Sequence, residues 1–315
     1  MKPVSDDTFV ETWQRLGTPA KVAAELGINV RNIYERRAKL ANRGVFLPTM
    51  KGAHGRNGEW TARIEFERQR RFEVDTGTVV IFSDPHWLPD HRPTATQALL
   101  TLLKDLKPNL VICGGDAVDG DTISRWDVTR GHHKRFTVRE ELDTVRDNFA
   151  TIDRVLGKTP RAWTLGNHDV RLSRFVASKA PELQDMPGMR LEDWASKWPL
   201  SWTVAINHGT PGMLIVRHRN QAGMLHLQAQ KAGCHYAHGH LHNMNDNGKS
   251  TFAGVRYSID CGSLADPDSE GFDYIEGNAP HVCGFAVLTY KAGLLLKPEF
   301  AYLHEGAFCF RGQRV

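Results

Sequence analysis

Five short groups of residues in this chain carry carboxylates, an amide and imidazoles at spacings that suit metal-assisted chemistry. In chain order they are Asp84-Pro-His86, Gly114-Gly-Asp116-Ala-Val-Asp119, Gly166-Asn167-His168-Asp169, the single His218, and Gly239-His240-Leu-His242. Each follows a strand-like run: TVVIF, LVIC, AWTL, MLIVR and HYAH. Runs of this length and β-branched content read as buried strands, so each group sits at a strand-to-loop junction. One such junction is commonplace. Five of them bring carboxylate, amide and imidazole donors to one rim of one sheet, where they would repel or stay poorly satisfied without cations between them. Hard and borderline donors of this kind suit manganese, iron or zinc.

The segments between the runs supply the scaffold. Pro93–Leu106 places Leu99, Leu102, Leu103 and Leu106 on one helical face and is stopped by Pro108. Thr137-Val-Arg-Glu140 has capping-box spacing ahead of a helix that carries Val145, Phe149, Ile152 and Leu156. This strand–helix rhythm predicts an α/β fold with largely parallel strands and functional loops at their carboxyl ends.

The ordered set D-x-H, G-D-x-x-D, G-N-H-D, a strand-terminal His and G-H-x-H resembles the calcineurin-like metallophosphoesterases over residues 78–265. The resemblance implies a two-sheet α/β sandwich flanked by helices, with Trp202–His218, His235–Ala237, Thr251–Asp260 and Phe285–Tyr290 building the second sheet. It implies two divalent metal ions, manganese first, with iron, zinc or nickel as alternatives. By position in the motifs, Asp84, His86 and His242 would hold one ion, Asn167, His218 and His240 the other, and Asp116 would bridge them. Such a pair lies about 3.5–4 Å apart and activates water for in-line attack on phosphorus. His168 would contact the phosphate and protonate the leaving oxygen, with Asp119 orienting its ring. Arg171, in GNHD-x-R, fits either a substrate phosphate or a surface ion pair. For the fourth motif His218 is preferred to His208, although Arg219 stands where glycine is common. His226, His235 and His238 read as structural, and CGSLAD as a turn bordering the pocket.

Residues 1–45 form a separate module. Three helices are expected, at Asp6–Leu16, at Pro19–Leu26 with Thr18 as N-cap, and at Val30–Arg43 capped by Asn29. With Ala23 four residues before Gly27, and Val22, Leu26, Ile28 and Ile33 apolar, KVAAELGINVRNIYERR resembles a DNA-binding helix-turn-helix. One departure is Arg36, at a position usually apolar. The resemblance implies base contacts by Arg31, Asn32 and Glu35 and phosphate contacts by Arg36, Arg37 and Lys39. Joining this module to a phosphoesterase is similar to proteins encoded by bacteriophages. Residues 46–76 read as a linker followed by an edge strand or hairpin, and residues 77–315 as the catalytic domain.

Composition sets limits on the reading. At 41% hydrophobic and 24% charged residues the 315-residue chain has the make-up of a globular protein. The longest uncharged run, Trp198–Val216, breaks at Asn-His-Gly-Thr-Pro-Gly, which excludes it as a membrane span. No secretory leader is visible, so a cytoplasmic location is expected, that of a bacterial host if the protein is phage-encoded. Five cysteines without a CxxC pair argue against a thiolate metal site or a disulfide framework. Residues 1–45 hold eight Lys/Arg against five Asp/Glu, most of the chain's net charge of +4, which favours a polyanionic partner. The expectation is a DNA nuclease with no membrane partner. The runners-up are a phosphomonoesterase or nucleotide phosphodiesterase with a protein-binding N-terminus, and a DNA-binding regulator with an inactive enzyme domain. The motifs are silent on oligomeric state.

Overall fold

The computed structural model describes residues 4–43, 45, 47, 66–89, 93–123, 136–195, 197–219, 227–251, 254–265 and 281–315. Most of the linker, the Trp126–Lys134 insertion, His226 and the start of the helix expected at Ala222–Lys231 lie outside the described residues. The chain divides into two compact units, Met1–Arg63 and Ile64–Val315, so the break falls inside the expected linker.

The first unit consists of helices α1 (Asp6–Leu16), α2 (Pro19–Leu26) and α3 (Val30–Asn42). Ser5 caps α1, its hydroxyl accepting from the Thr8 amide, and the Asn29 side chain accepts from the Arg31 amide at the start of α3. Gly27 separates α2 from α3 at φ 63°, in open space, so glycine is needed there for its backbone freedom and not for room. Phe9, Trp13, Val22, Ala23, Ile33, Leu40 and Leu47 form the core. Arg36 sits beside this core with its guanidinium 5.1 Å from the Phe9 ring centroid. It donates to Asp6 from Nε at 2.9 Å and from Nη2 at 2.7 Å, and also to the Val4 carbonyl. The charge at an otherwise apolar position is therefore matched from α1. Arg37 stacks over Trp13 at 4.3 Å and donates to the Leu47 carbonyl.

The second unit opens with β1 (Arg70–Phe72) and β2 (Gly77–Phe82), followed by α4 (Thr94–Leu106), β3 (Leu110–Cys113), α5 (Val138–Leu156), β4 (Arg161–Thr164) and α6 (Arg171–Lys179). Next come β5 (Leu200–Ser201), β6 (Val204–Ile206), β7 (Leu214–Val216), α7 (Gln228–Ala232), β8 (His235–His238), β9 (Asn245–Thr251) and β10 (Gly254–Asp260). The chain closes with β11 (Gly284–Lys291), β12 (Leu294–Leu295), β13 (Glu299–His304), β14 (Ala307–Phe310) and β15 (Gln313–Arg314). Both halves of the Thr137/Glu140 capping box form at α5.

Among the described residues these strands make two sheets, β1-β6-β7-β8-β10-β9 and β15-β14-β13-β11-β2-β3-β4-β5, with β12 paired to β11. Strands β2, β3, β4 and β5 run parallel in register, as the strand–helix rhythm requires. Alternation along β2 divides the core. Val80 and Phe82 face Leu99, Leu102, Val145 and Phe149 of the helices, while Val79 and Ile81 face Val204, Leu214, Ala237 and Ile259 of the other sheet. The result is a two-sheet sandwich with helices on its outer face.

One strand is placed differently from expectation. Phe285–Tyr290, assigned from sequence to the second sheet, lies in β11 and pairs antiparallel with β2 in the first. Phe285 and Val287 enter the helix-side core while Ala286, Leu288 and Tyr290 enter the inter-sheet core. A strand buried on both faces belongs at the middle of a covered sheet. The edge strand before the main sheet is β1, parallel to β6 at the rim of the second sheet.

The Arg36 and Arg43 side chains hold the Asp6 carboxyl below its ordinary pKa, the Arg36 hydrogen bond being the largest cause. A depressed carboxylate pKa contributes stability that is present above the unfolded value and lost as pH falls through the folded one. Asp6→Asn is expected to speed amide exchange across α1 and α3 at pH 7, with the difference from wild type shrinking as the pH is lowered through the carboxylate range, read by hydrogen-exchange mass spectrometry of the full chain.

Candidate metal centre

The loops after β2 and β3 continue side by side beyond the strands. The Gly114 amide donates to the Phe82 carbonyl, Asp84 to Gly115 at 2.9 Å, His86 to Asp116 at 3.1 Å and Trp87 to Ala117 at 3.1 Å. Asp169 joins this pair of loops to the one after β4. Its carboxylate accepts from the amides of Asp116, Val118 and Gly166 and from the Trp163 indole, at 2.7–3.1 Å. Burial, with the Asp116 charge beside it, pushes its pKa up to about 6, against the pull of the amide bonds. From the second sheet, the β8–β9 loop reaches the same rim through the His240 amide, which donates to Asp84 Oδ2 at 2.9 Å. Ser263, in the CGSLAD turn, donates to the Asp84 carbonyl at 2.8 Å.

These turns are tight. Five of the ten non-glycine residues with positive φ in the described chain are Asp84, His86, Asp116, His240 and His242. Each such conformation costs about 1–3 kcal/mol and persists only where the surroundings impose it. Close approach also needs glycine: a Cβ on Gly166 would collide with the Asp116 carboxylate, and one on Gly239 with Ser83 and Asp84.

Three clusters result, two of them sharing His86. Donor atoms of Asp84, His86 and His242 lie within 4.8 Å of one another, as do those of Asp116, His218 and His240 and those of His86, Asp119 and His168. His242 Nε2 stands 3.1 Å from Asp84 Oδ1, and His218 Nε2 stands 3.0 Å from Asp116 Oδ2. His218 Nδ1 bonds the Gly114 carbonyl at 3.0 Å, which leaves Nε2 aimed into the cage. His86 turns Nδ1 to the Asp119 carboxylate at 2.9 Å, so its Nε2 also faces inward, the carboxylate–histidine arrangement that orients a metal ligand. His208 is exposed in the β6–β7 turn, away from these clusters.

The electrostatics fit cations. Burial opposes charge on Asp84 and Asp116, yet His242 and His218 for the former, and His218 for the latter, hold both carboxyls below their ordinary pKa. In return burial lowers and Asp116 and Asp84 raise His218, which ends pushed up to about 10. His86 is raised by Asp119 against its burial. A cage of two buried carboxylates that draws positive charge this strongly, with imidazole nitrogens facing inward, suits two divalent ions.

Several expected partners are arranged differently. The Asp119 carboxylate serves His86 and is 3.7 Å from His168 Nδ1; that nitrogen instead bonds the Asp119 backbone carbonyl at 2.7 Å. Arg171 donates to the same carbonyl at 2.8 Å and lies 3.2 Å from His168 Nε2, so it is committed to the catalytic-looking histidine and not to a surface ion pair. Burial lowers His168 to about 4. Asn167 Oδ1 accepts from Arg219 Nε at 3.2 Å. His281 was not foreseen: its ring centroid is 4.4 Å from that of His242, and no motif marks it in the sequence. His235 stacks on Tyr257 and His238 bonds the Gly239 carbonyl, both within the fold.

A two-sheet α/β scaffold presenting adjoining carboxylate–imidazole clusters at strand ends defines a dimetal hydrolase centre. The chain belongs to the calcineurin-like phosphoesterase family, whose model matches residues 77–252, more than half of its length. The family is dimetal-dependent. No curated protein sequence matches the chain. Similar solved structures include a Vps29 single mutant (D62A) from Entamoeba histolytica at 17% identity, covering 76% of this chain and 98% of that one, with TM-score 0.41. The phosphoesterase Yfce from E. coli is 13% identical, covering 70% and 97%, with TM-score 0.34. A dimetal phosphatase from Danio rerio is 10% identical, covering 77% and 98%, with TM-score 0.37. No helix among the described residues is long and apolar enough to cross a membrane.

Because His218, pushed up to about 10 by the Asp116 and Asp84 carboxylates, holds a proton at pH 7 in the absence of added metal, loading with Mn²⁺ or Zn²⁺ is expected to release about one proton per chain and to tighten as pH rises. Calorimetry in buffers of different ionisation enthalpy reads this directly, and zero release would contradict the charge distribution described. Gly166→Ala is expected to cost about 1–3 kcal/mol by overpacking and to abolish the metal-induced rise in melting temperature.

Proposed function

We propose that this protein is a metal-dependent phosphodiesterase that cleaves DNA, held to its substrate by the N-terminal helices. The observation that carries the reading is the attachment of a separate basic three-helix unit to a dimetal phosphoesterase unit in one chain. On α3, Arg31, Asn32, Glu35 and Lys39 are exposed, with the Arg31 side chain 85% accessible and paired to Glu35 at 3.2 Å. Arg36 and Arg37 are engaged within the unit, so the candidate DNA contacts narrow to the four exposed residues, joined by Tyr34 at 56% exposure.

Two divalent ions bound by Asp84, His86, Asp116, Asn167, His218, His240 and His242 would supply Lewis acidity and a low-pKa water. Mn²⁺ is the ion we favour for these donors. His168 then works from its Nε2 face. Its Nδ1 proton is committed to the Asp119 carbonyl, and Arg171 occupies Nε2 in the free site. An incoming phosphate offers Arg171 a stronger acceptor, and its negative charge raises the pKa of His168, which readies the ring to protonate the leaving oxygen. A tethered helical unit raises the effective concentration of substrate without new catalytic contacts.

The test is hydrolysis of supercoiled plasmid and labelled single-stranded DNA with Mn²⁺ by the full chain, a His168→Ala variant and a chain starting at Ile64. Cleavage is expected to need metal, to fall about 100-fold or more in kcat for His168→Ala, and to show an increased KM in the truncated chain. Robust hydrolysis of an aryl phosphomonoester without any DNA cleavage would replace this reading with a phosphomonoesterase. Loss of both activities with DNA binding retained would point to a regulator.

A further inference from the structure

The arginine that follows His218 is fixed in place more firmly than an exposed side chain requires. The backbone from Arg217 to Arg219 runs along β8: the Arg217 amide donates to the Ala237 carbonyl, and the Gly239 amide donates to the His218 carbonyl. The Arg219 carbonyl accepts from the hydroxyl of fully buried Tyr236 at 2.8 Å. From this anchored backbone the side chain reaches across to the β4 loop, where its Nε–H bonds Asn167 Oδ1. The guanidinium is thus aimed by contacts at both ends.

Only Nε is used in this contact. No carboxylate among the described residues lies within ion-pair distance of Arg219. Arg171 is alike in this respect, bonded to a backbone carbonyl and to an imidazole. The two arginines therefore attach to consecutive side chains of one loop, Arg219 to Asn167 and Arg171 to His168. They come from different sheets' connections, one after β7 and one at the start of α6. Once such a cage holds its cations, an arginine at its rim gains nothing from it, whereas an anion between the two arginines is attracted by both. The planar fork of a guanidinium matches two phosphate oxygens at once.

Gly120 supports the same division of labour. A Cβ at Gly120 would stand 3.0 Å from Arg171 Cδ, so the Arg171 stem fills the space beside it. Positive charge therefore meets the β4 loop at two neighbouring side chains, from Arg171 at His168 and from Arg219 at Asn167.

We propose that Arg219 is a second phosphate-binding arginine of this site, closing with Arg171 on the nonbridging oxygens of the substrate phosphoryl group. The inference rests on phosphoester hydrolysis at this cage and does not depend on DNA being the substrate. Arg219 is a specificity-determining residue for phosphate anions, and its hydrogen bond to Asn167 is the resting position from which it engages them.

The experiment measures inorganic phosphate binding to the Mn²⁺-loaded full chain by calorimetry for wild type, Arg219→Ala, Arg219→Gln and Arg219→Lys, with Mn²⁺ affinity measured in parallel. Arg219→Ala is expected to weaken phosphate about 10-fold and to raise KM for a bis-aryl phosphodiester similarly, with a smaller change in kcat. Arg219→Lys is expected to restore part of the loss. Arg219→Gln keeps an N–H donor for Asn167 but no charge, and is expected to stay weak. Phosphate affinity unchanged in Arg219→Ala, or lost only together with Mn²⁺ and recovered by Arg219→Gln, would overturn the proposal and leave Arg219 as a support for Asn167. Phosphate binding needs no DNA, so absence of DNA cleavage would remove the nuclease reading and leave this result standing.

Discussion

Asp84 and Asp116 are 0% and 2% exposed, and both must carry charge inside the protein. A buried carboxylate costs several kcal/mol unless hydrogen bonds and opposite charge compensate it. The structure around them supplies that compensation. The His240 amide donates to Asp84, the His168 amide to Asp116, and the imidazoles of His242 and His218 face the two carboxylates. Much of the rim geometry follows from this requirement, because a donor displaced by an ångström leaves a charge exposed to low dielectric.

The loops meet that requirement through backbone strain held by a buried strut. The left-handed conformations at Asp84, His86, Asp116, His240 and His242 turn side chains inward that an extended loop would send outward. Asp169 holds the Asp116 turn there: one carboxylate takes amides from the β3 and β4 loops and the indole of Trp163, itself in the helix-side core. Packing of α4 and α5 on the first sheet is thereby coupled to the position of Asp116.

The N-terminal unit follows a different logic. Its core is small, and its stability leans on an arginine that a sequence pattern would count as a defect. Arg36 sets its guanidinium over the Phe9 ring and against Asp6, so charge pairing and a cation–π contact join α1 and α3. The exposed face of α3 is left free of these duties, which is what allows it to be considered for recognition.

Donor types, their order and their location after strand-like runs were legible in the residues, as were the helix starts at Thr137 and the three N-terminal helices, because strand and helix periods and caps are local properties. The two-sheet class followed from resemblance, and local pattern could not assign every strand: the apolar run of β11 suits either sheet, and only pairing with β2 decides between them. The same limit governs side-chain partners. Asp119 reaching His86 by its carboxylate and His168 by its carbonyl, Arg219 meeting Asn167, and His281 arriving beside His242 join residues 33 to 52 positions apart. Such contacts depend on left-handed turns and on the stacking of two sheets, which set direction and distance over a range that no local sequence period encodes.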